Sequence, residues 1–202
     1  MKKETITRLI ISAIFTALIF ILAFTPLGFF KTGGLSVSLL TIPVTIGAIL
    51  LGPVHGAFLG AIFGMTSLIQ CFGLEPFGTT LMGINPIYAI IVCLVPRILM
   101  GYLTGLVFRA FKKGKLTRIG AAITSVCAPL LNTVLFMTAL ILCFYNTDVI
   151  QGIVTTLGAG NVFTFAILFV GINGALEVAA GLILSFPISA ALYSYVSKRK
   201  IV

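Results

Sequence analysis

Long apolar stretches alternate along the chain with short segments rich in turn-forming or charged residues. A transmembrane helix needs about 20 apolar residues, because the hydrocarbon core of a bilayer is about 30 Å thick and a helix rises about 1.5 Å per residue. The apolar stretches predict six such crossings, at residues 9–25, 35–51, 54–72, 84–111, 119–144 and 161–195, and the second of them follows a turn at residues 31–34. The sequence therefore predicts an all-α integral membrane protein, with one six-helix transmembrane domain over residues 1–202.

Turn-forming residues separate the predicted crossings. Pro26 closes the first crossing, and Gly52 with Pro53 divides the second from the third. Residues 73–83 and 145–160 are polar connections that contain glycine, so both are predicted to be loops on the outer side. The sixth apolar stretch has about 35 residues, so we expect it to be tilted or to begin with an outer loop or short helix.

The composition indicates a membrane location. The chain is 59% hydrophobic and 8% charged, whereas roughly a quarter of the residues in soluble domains are charged. The net charge of +9 does not indicate nucleic-acid binding, because the basic residues stand at helix ends rather than on a soluble face. Lys and Arg are enriched in cytoplasmic loops, so their distribution predicts that both termini are cytoplasmic. The clusters are Lys2, Lys3 and Arg8, then residues 109–118, then Lys198, Arg199 and Lys200, with Lys31 alone on the other side.

No pattern in the sequence predicts catalysis or a cofactor. There is no G-x-x-x-x-G-K-[ST] phosphate loop, no paired acidic metal motif and no Ser-His-Asp or Cys-His arrangement. The four cysteines lie in or beside apolar segments without metal-type spacing and are predicted to be packing residues: Cys71, Cys93, Cys127 and Cys143. His55 stands alone beside a short cytoplasmic turn and is interpreted as incidental. We expect a chain that is not an enzyme, has no ATPase of its own and holds no cofactor or metal.

Small residues recur at four-residue spacing and predict close helix packing. Residues at i and i+4 share a helix face, so small side chains there form a smooth stripe against which another backbone can lie. The stripe consists of Gly52, Gly56, Gly60 and Gly64, with a second pair at Gly101 and Gly105. Ala13 and Ala17 give the first helix a similar face. It serves either as a contact within the chain or as a docking surface for another membrane protein, and the residues leave both open.

Two charged side chains, Arg97 and Glu177, are predicted to lie deep in the membrane. Charges there are costly, so they are functional candidates by default. Pro96 should also kink its helix and free a backbone carbonyl beside Arg97. Polar residues at related depths complete a candidate substrate-binding cavity open to the outside: Arg97, Asn132, Asn173, Glu177, Asn85 and Tyr88. Arg97 offers a fork of donors to a carboxylate, so a small anion with hydroxyl or amide groups would suit this cavity.

The intramembrane charges also allow other interpretations. Arg97 and Glu177 could form a buried ion pair that only fixes helix register in a structural subunit. Glu177 could instead couple protons in a self-sufficient small-molecule carrier, although six crossings without an inverted repeat are few for one.

Four segments of the chain carry a resemblance to a known family. They are residues 38–64 (SLLTIPVTIGAILLGPVHGAFLGAIFG), residues 95–97 (VPR) with 101–109, residues 131–133 (LNT), and residues 173–177. Over nearly its whole length the chain resembles the substrate-binding S-components of energy-coupling factor (ECF) vitamin transporters, and it is closest to the branch assigned to pantothenate. An S-component of this kind is a multi-pass protein of the bacterial plasma membrane.

The resemblance implies both a substrate and protein partners. Pantothenate has one carboxylate, an amide and two hydroxyls, so Arg97 would be its natural anchor. Other vitamins or precursors, such as pyridoxine, hydroxymethylpyrimidine or folate, remain alternatives within the family. Ala13 and Ala17 match the Ala-x-x-x-Ala pattern by which the first helix docks on a transmembrane T-subunit. Two cytoplasmic ATPases would complete the importer and supply the ATP hydrolysis for which this chain has no motif.

Overall fold

The computed structural model describes residues 3–32, 35–111 and 117–198. Within these ranges the chain is helical apart from one β-hairpin and its connections. Some of the basic residues on which the predicted orientation depends lie outside the described residues: Lys2, Lys112, Lys113, Lys115, Arg199 and Lys200. Gly33 and Gly34, in the turn before the second predicted crossing, lie outside them as well.

The elements follow one another in a simple order along the chain. They are α1 (Lys3–Phe24), β1 (Phe29–Thr32), β2 (Leu35–Ser38), α2 (Thr41–Leu51), α3 (Pro53–Gln70), α4 (Pro76–Ile84), α5 (Pro86–Ala110), α6 (Thr117–Phe144), α7 (Asp148–Thr156), α8 (Val162–Ala180) and α9 (Phe186–Lys198). A 3-10 turn (Pro26–Gly28) follows α1, and a π-helical segment (Gly181–Ser185) joins α8 to α9. The two strands pair antiparallel, with Phe29 opposite Ser38.

Among the described residues, four helical segments are long and apolar enough to cross a bilayer: Glu4–Phe24, Pro86–Ala110, Thr117–Phe144 and Asn173–Val196. These segments confirm the prediction of an α-helical membrane protein. The last one runs through the π-helical segment, so the long sixth stretch of the sequence is continuous helix. The count of six crossings and the side of each terminus stay predictions.

The second predicted crossing does not begin as a helix, because the β-hairpin occupies residues 29–38. Helix α2 has only 11 residues, which is about 17 Å of helix and shorter than the hydrocarbon core. All of its residues except Ile42 are buried, and α1, α3, α5, α6 and α9 pack around it. A helix that is apolar on every side belongs in the interior of a protein, so protein rather than lipid surrounds α2.

The two predicted outer loops each contain a helix, so that prediction is wrong. Helix α4 begins because Glu75 caps it: the carboxylate accepts hydrogen bonds from the backbone N–H of Phe77 and of Gly78. Pro76 stands at the first helical position, where its missing N–H costs nothing. Helix α7 likewise begins with Asp148 in its first turn, where a negative charge is favoured by the helix dipole.

The predicted glycine stripe forms the contact between α3 and α5, the most extensive one between any two elements. A Cβ added at Gly56 would overlap the carbonyl of Gly101, and one added at Gly60 would overlap the carbonyl of Arg97. At Gly64 an added Cβ would lie 2.9 Å from the carbonyl oxygen of Cys93. The close-packing prediction is confirmed for these three glycines. We call this contact the glycine seam.

Gly52 has a different role from the rest of its stripe. It lies between α2 and α3 at φ +93°, and a Cβ there would meet nothing within 4 Å. Only glycine adopts such a backbone conformation without strain. Gly52 therefore breaks the chain between two helices, as the Gly-Pro pair predicts, and its carbonyl carbon lies against Gly105 of α5, where an added Cβ would be 3.0 Å away.

Two large apolar clusters lie in the interior of the described structure, and a smaller one is formed by Ile49, Phe108 and Ala121. The first joins α1, α2, α3 and α5 and includes Phe15, Ile19, Val44, Leu59, Phe63 and Met100. The second joins α4 to α8 and includes Leu81, Val92, Leu140, Phe144, Ile150, Phe165 and Phe169.

Candidate functional site

A cavity of about 170 Å³ lies among α3, α5, α6 and α8, with α4 and the end of β2 at its margin. Its wall takes Phe63 from the first apolar cluster and Phe169 from the second. A cavity of about 150 Å³ is known to hold a molecule such as benzene, so this one has room for a small metabolite. The polar side chains that face it determine which metabolite would fit.

Arg97 reaches the cavity from the middle of α5, and the local sequence explains its position. Pro96 has no N–H, so the carbonyl of Val92, one turn earlier, loses its helical partner. The Arg97 side chain replaces the missing donor, since its Nη1 donates a hydrogen bond to the Val92 oxygen at 2.5 Å. The predicted free carbonyl therefore exists, and it holds the guanidinium itself.

Two aromatic rings lie close to the same guanidinium. Its central carbon is 4.8 Å from the ring centroid of Phe136 and 5.6 Å from that of Phe63, distances typical of cation–π contacts. Within the described structure, the buried Nε of Arg97 has no hydrogen-bond partner. Arg97 is thus held by its helix and by two rings, and it keeps one unused hydrogen-bond donor.

Glu177 lies on α8 and is 8% exposed. Its Oε1 accepts a hydrogen bond from the backbone N–H of Ser38 at 3.0 Å, which ties α8 to the last residue of the hairpin. The Asn132 side chain from α6 lies beside the Glu177 carboxylate, and its buried Oδ1 has no partner among the described residues. Asn173, one turn before Glu177 on α8, is buried and lines the cavity as well.

The two opposite charges are not in direct contact. No nitrogen of Arg97 lies within 4.0 Å of a Glu177 oxygen in the described structure, although the charges attract each other at longer range. A direct ion pair that clamps the helices is therefore absent between these two residues. Both charged side chains line the cavity, Arg97 from α5 and Glu177 from α8, together with the amides of Asn132 and Asn173.

The structure brings together four of the six residues predicted to bind substrate. Arg97, Asn132, Asn173 and Glu177 all line the cavity. Asn85 caps α5, where its Oδ1 accepts hydrogen bonds from two backbone N–H groups at 3.1 and 3.2 Å. The Tyr88 ring packs edge-on against another aromatic ring, at 6.0 Å between centroids. Neither residue is part of the cavity lining, and their contact with a substrate stays a prediction.

Sequence reasoning missed several residues of the cavity wall. Phe63 and Phe136 look like ordinary apolar positions, and nothing in the sequence indicates that they flank a cation. Cys71 and Cys93 are 22 positions apart, yet their sulfur atoms lie 3.6 Å from each other on the wall. Only the proximity of Cys93 to Arg97, one helical turn later, signals that this cysteine faces the cavity.

Comparison with known proteins supplies the family. The family model described as ECF transporter, substrate-specific component, matches residues 7–189. The chain belongs to the ECF transporter substrate-specific components. It is thus a component of a membrane transport system rather than an enzyme, and its apolar helices agree with a membrane location.

Two curated relatives extend the comparison. Pantothenate transporter PanT of Leuconostoc mesenteroides subsp. mesenteroides is 30% identical in an alignment 192 residues long that covers 91% of this chain and 91% of that protein. Pantothenic acid transporter PanT of Lactococcus lactis subsp. cremoris is 30% identical in an alignment 119 residues long that covers 54% of this chain and 59% of that protein. The first of these likenesses extends over the segments that build the cavity.

The predicted docking residues lie far from that cavity. Ala13 and Ala17 are both exposed on α1, and the large apolar side chains between and beside them, Ile14 and Leu18, are exposed as well. The four-residue stripe therefore faces away from the rest of this chain. An internal packing role for Ala13 and Ala17 does not fit this exposure.

Proposed function

We propose that this S-component binds pantothenate in the cavity among α3, α5, α6 and α8 and presents it for import. The observation that carries the proposal is a fixed guanidinium with a free donor, Arg97, facing a cavity of metabolite size. The names of the two relatives point to the same substrate. A small carboxylated vitamin satisfies both the chemistry and the likeness.

The polar side chains of the cavity suit the two ends of pantothenate. The carboxylate of the vitamin takes the free part of the Arg97 fork, since charge-assisted bonds of this kind are short and strong. Glu177 has acceptor capacity beyond the Ser38 bond and receives the hydroxyl groups at the other end. Asn132 and Asn173 contact the amide in between, where the unpartnered Asn132 Oδ1 accepts its N–H.

We further propose the topology and the assembly. The chain forms one transmembrane domain of six crossings in the bacterial plasma membrane, with both termini cytoplasmic. Five crossings are α1, α3, α5, α6 and the continuous α8–α9 helix, and the sixth is α2, which is shorter than the hydrocarbon core and is enclosed by the other helices. The partners of the chain are a transmembrane T-subunit and two cytoplasmic ATPases. The exposed Ala13 and Ala17 form the face of α1 that meets the T-subunit, because small side chains let two helices approach closely.

The binding proposal is tested by titrating pantothenate into the purified chain by calorimetry. We expect Arg97→Ala to weaken binding at least about 30-fold, because truncating one partner of a buried charged pair costs about 2 kcal/mol or more. The affinity of Arg97→Lys should lie between those of the parent and of Arg97→Ala, since lysine keeps the charge but not the forked set of donors. Arg109→Ala, an exposed arginine on the same helix, is the matched control and should bind as the parent does. Equal affinity of the parent and Arg97→Ala would refute the anchor, and binding of pyridoxine, hydroxymethylpyrimidine or folate in place of pantothenate would reassign the substrate.

The docking proposal is tested separately from binding. The double variant Ala13→Leu, Ala17→Leu should lose copurification with a coexpressed T-subunit, because leucine side chains hold the two helices apart. Pantothenate affinity should be unchanged, since the stripe is exposed and remote from the cavity. Ile14→Leu, which keeps the size of a neighbouring exposed side chain, is the control. Full copurification of the double variant would move the docking surface elsewhere.

A further inference from the structure

The cavity wall carries a pair of thiols that the substrate contacts described above do not use. The Sγ atoms of Cys71 and Cys93 lie 3.6 Å apart, and each residue lines the cavity while being almost buried, at 5% and 7% exposure. Cys71 ends α3 and Cys93 lies on α5. We propose that this pair is a site of covalent modification, at which a small disulfide that enters the cavity converts the two thiols into an α3–α5 disulfide.

The surroundings place the two sulfur atoms within reach of one another. The glycine seam holds the backbones of α3 and α5 together at the level of Cys93, with Gly64 packed against the Cys93 carbonyl. Cys71 follows seven positions later, at the end of α3. Bond formation requires the sulfurs to approach by about 1.5 Å, from their present separation of 3.6 Å to a bond length of about 2.05 Å. The cavity itself gives a small oxidant room beside both sulfurs.

The reaction is thiol–disulfide exchange in two steps. One cysteine thiolate attacks a sulfur of the small disulfide, which forms a mixed disulfide and releases one small thiol. The other cysteine thiolate then attacks the cysteine sulfur of that mixed disulfide, which closes the Cys71–Cys93 bond and releases the second small thiol. The two cysteines are oxidised by two electrons, the small disulfide is reduced by two, and the two thiol protons leave on the two released thiols.

The other two cysteines of the chain offer an internal comparison. Cys127 and Cys143 are both on α6, they are partly exposed, and neither is part of the cavity wall. Exposure alone would therefore favour reaction at these two. Reaction at the more buried Cys71 and Cys93 would instead indicate that proximity and the cavity direct the chemistry.

The test exposes the full-length purified chain to hydroxyethyl disulfide and measures intact mass and linked peptides. We expect a loss of two hydrogens, a Cys71–Cys93 crosslinked peptide, and reversal by dithiothreitol. The variant Cys127→Ser, Cys143→Ser should react in the same way, whereas Cys71→Ser and Cys93→Ser should each stop at a mixed disulfide. A parent chain that remains reduced, or that links only through Cys127 or Cys143, would overturn the proposal.

A second experiment rests on the proposed function, and it tests the thiol site separately from the binding of pantothenate in the cavity. Pantothenate at ten times its Kd should slow formation of the crosslink about tenfold, because it leaves only about a tenth of the cavities open. A crosslink that forms at the same rate with and without the vitamin would support the thiol site and contradict the placement of pantothenate in this cavity. Absence of any crosslink would contradict the thiol site whatever the vitamin does.

Discussion

The glycine seam and the cavity are neighbouring regions on the same helix, α5, and they differ in how tightly their atoms pack. Along the seam, α3 and α5 approach so closely that a single added methyl at Gly60 would overlap the backbone of α5. In the cavity, only a few ångströms away, the polar atoms Arg97 Nε and Asn132 Oδ1 are left without partners among the described residues. One region has no spare volume, and the other has unfilled volume and unsatisfied polar groups.

The difference shows how a rigid contact can serve a binding site. Arg97 belongs to both regions, because its carbonyl packs against Gly60 while its guanidinium faces the cavity. In lipid no hydrophobic force holds helices together, so close packing of small residues carries much of the association. The seam therefore fixes the axial position and rotation of α5 relative to α3. Through them it fixes the position of the guanidinium that we propose binds a carboxylate.

The largest effect should come from filling the seam. Gly60→Ala places a methyl group against the Arg97 carbonyl, and overpacking of this kind costs about 1–3 kcal/mol or more. Alanine's better helix propensity, worth about 1 kcal/mol, offsets only part of that cost. We expect a lower thermal unfolding temperature in detergent and also weaker pantothenate binding, because α5 has to shift. Gly83→Ala, at a glycine of α4 with open space around its Cα, is the matched control; it gains helix propensity without overlap and should unfold at or slightly above the parent temperature.

A change at the carboxylate that lines the cavity should weaken pantothenate binding. Glu177→Ala removes the proposed hydroxyl acceptor, and a hydrogen bond to a charged group is worth about 1.5–3 kcal/mol, so affinity should fall by about 10- to 100-fold. Glu177→Gln should have a smaller effect, since its amide oxygen still accepts from Ser38. Calorimetry gives the affinities, and Glu4→Gln, an exposed carboxylate at the start of α1, controls for loss of charge. Unchanged affinity in Glu177→Ala would mean that this carboxylate does not contact the vitamin.

The sequence predicts the seam and the polar half of the cavity because both leave a local signal. Glycines at i and i+4 have few reasons to recur in a helix other than close packing, and a charge such as Arg97 stands out in an apolar segment. The amides Asn132 and Asn173 follow from the same argument of polarity and depth. These features are properties of single helices, so periodicity alone is enough to find them.

Features that depend on which helices become neighbours are not visible in the sequence. The rings that flank the guanidinium come from α3 and α6, and the thiol pair joins α3 to α5, so each needs the tertiary fold. The hairpin at residues 29–38 was missed because an apolar strand that leads into a buried helix resembles the start of a transmembrane helix. Asn85 was assigned by depth alone, whereas its side chain caps α5.

The central claim is that the Arg97 guanidinium recognises the carboxylate of pantothenate, and changing the ligand tests it without changing the protein. Panthenol has the hydroxyls and the amide of pantothenate but carries an alcohol in place of the carboxylate. Calorimetry on the parent chain should give binding of panthenol at least about 30-fold weaker than that of pantothenate, and this preference should disappear in Arg97→Ala. Equal affinity of the parent chain for the two ligands would contradict the account.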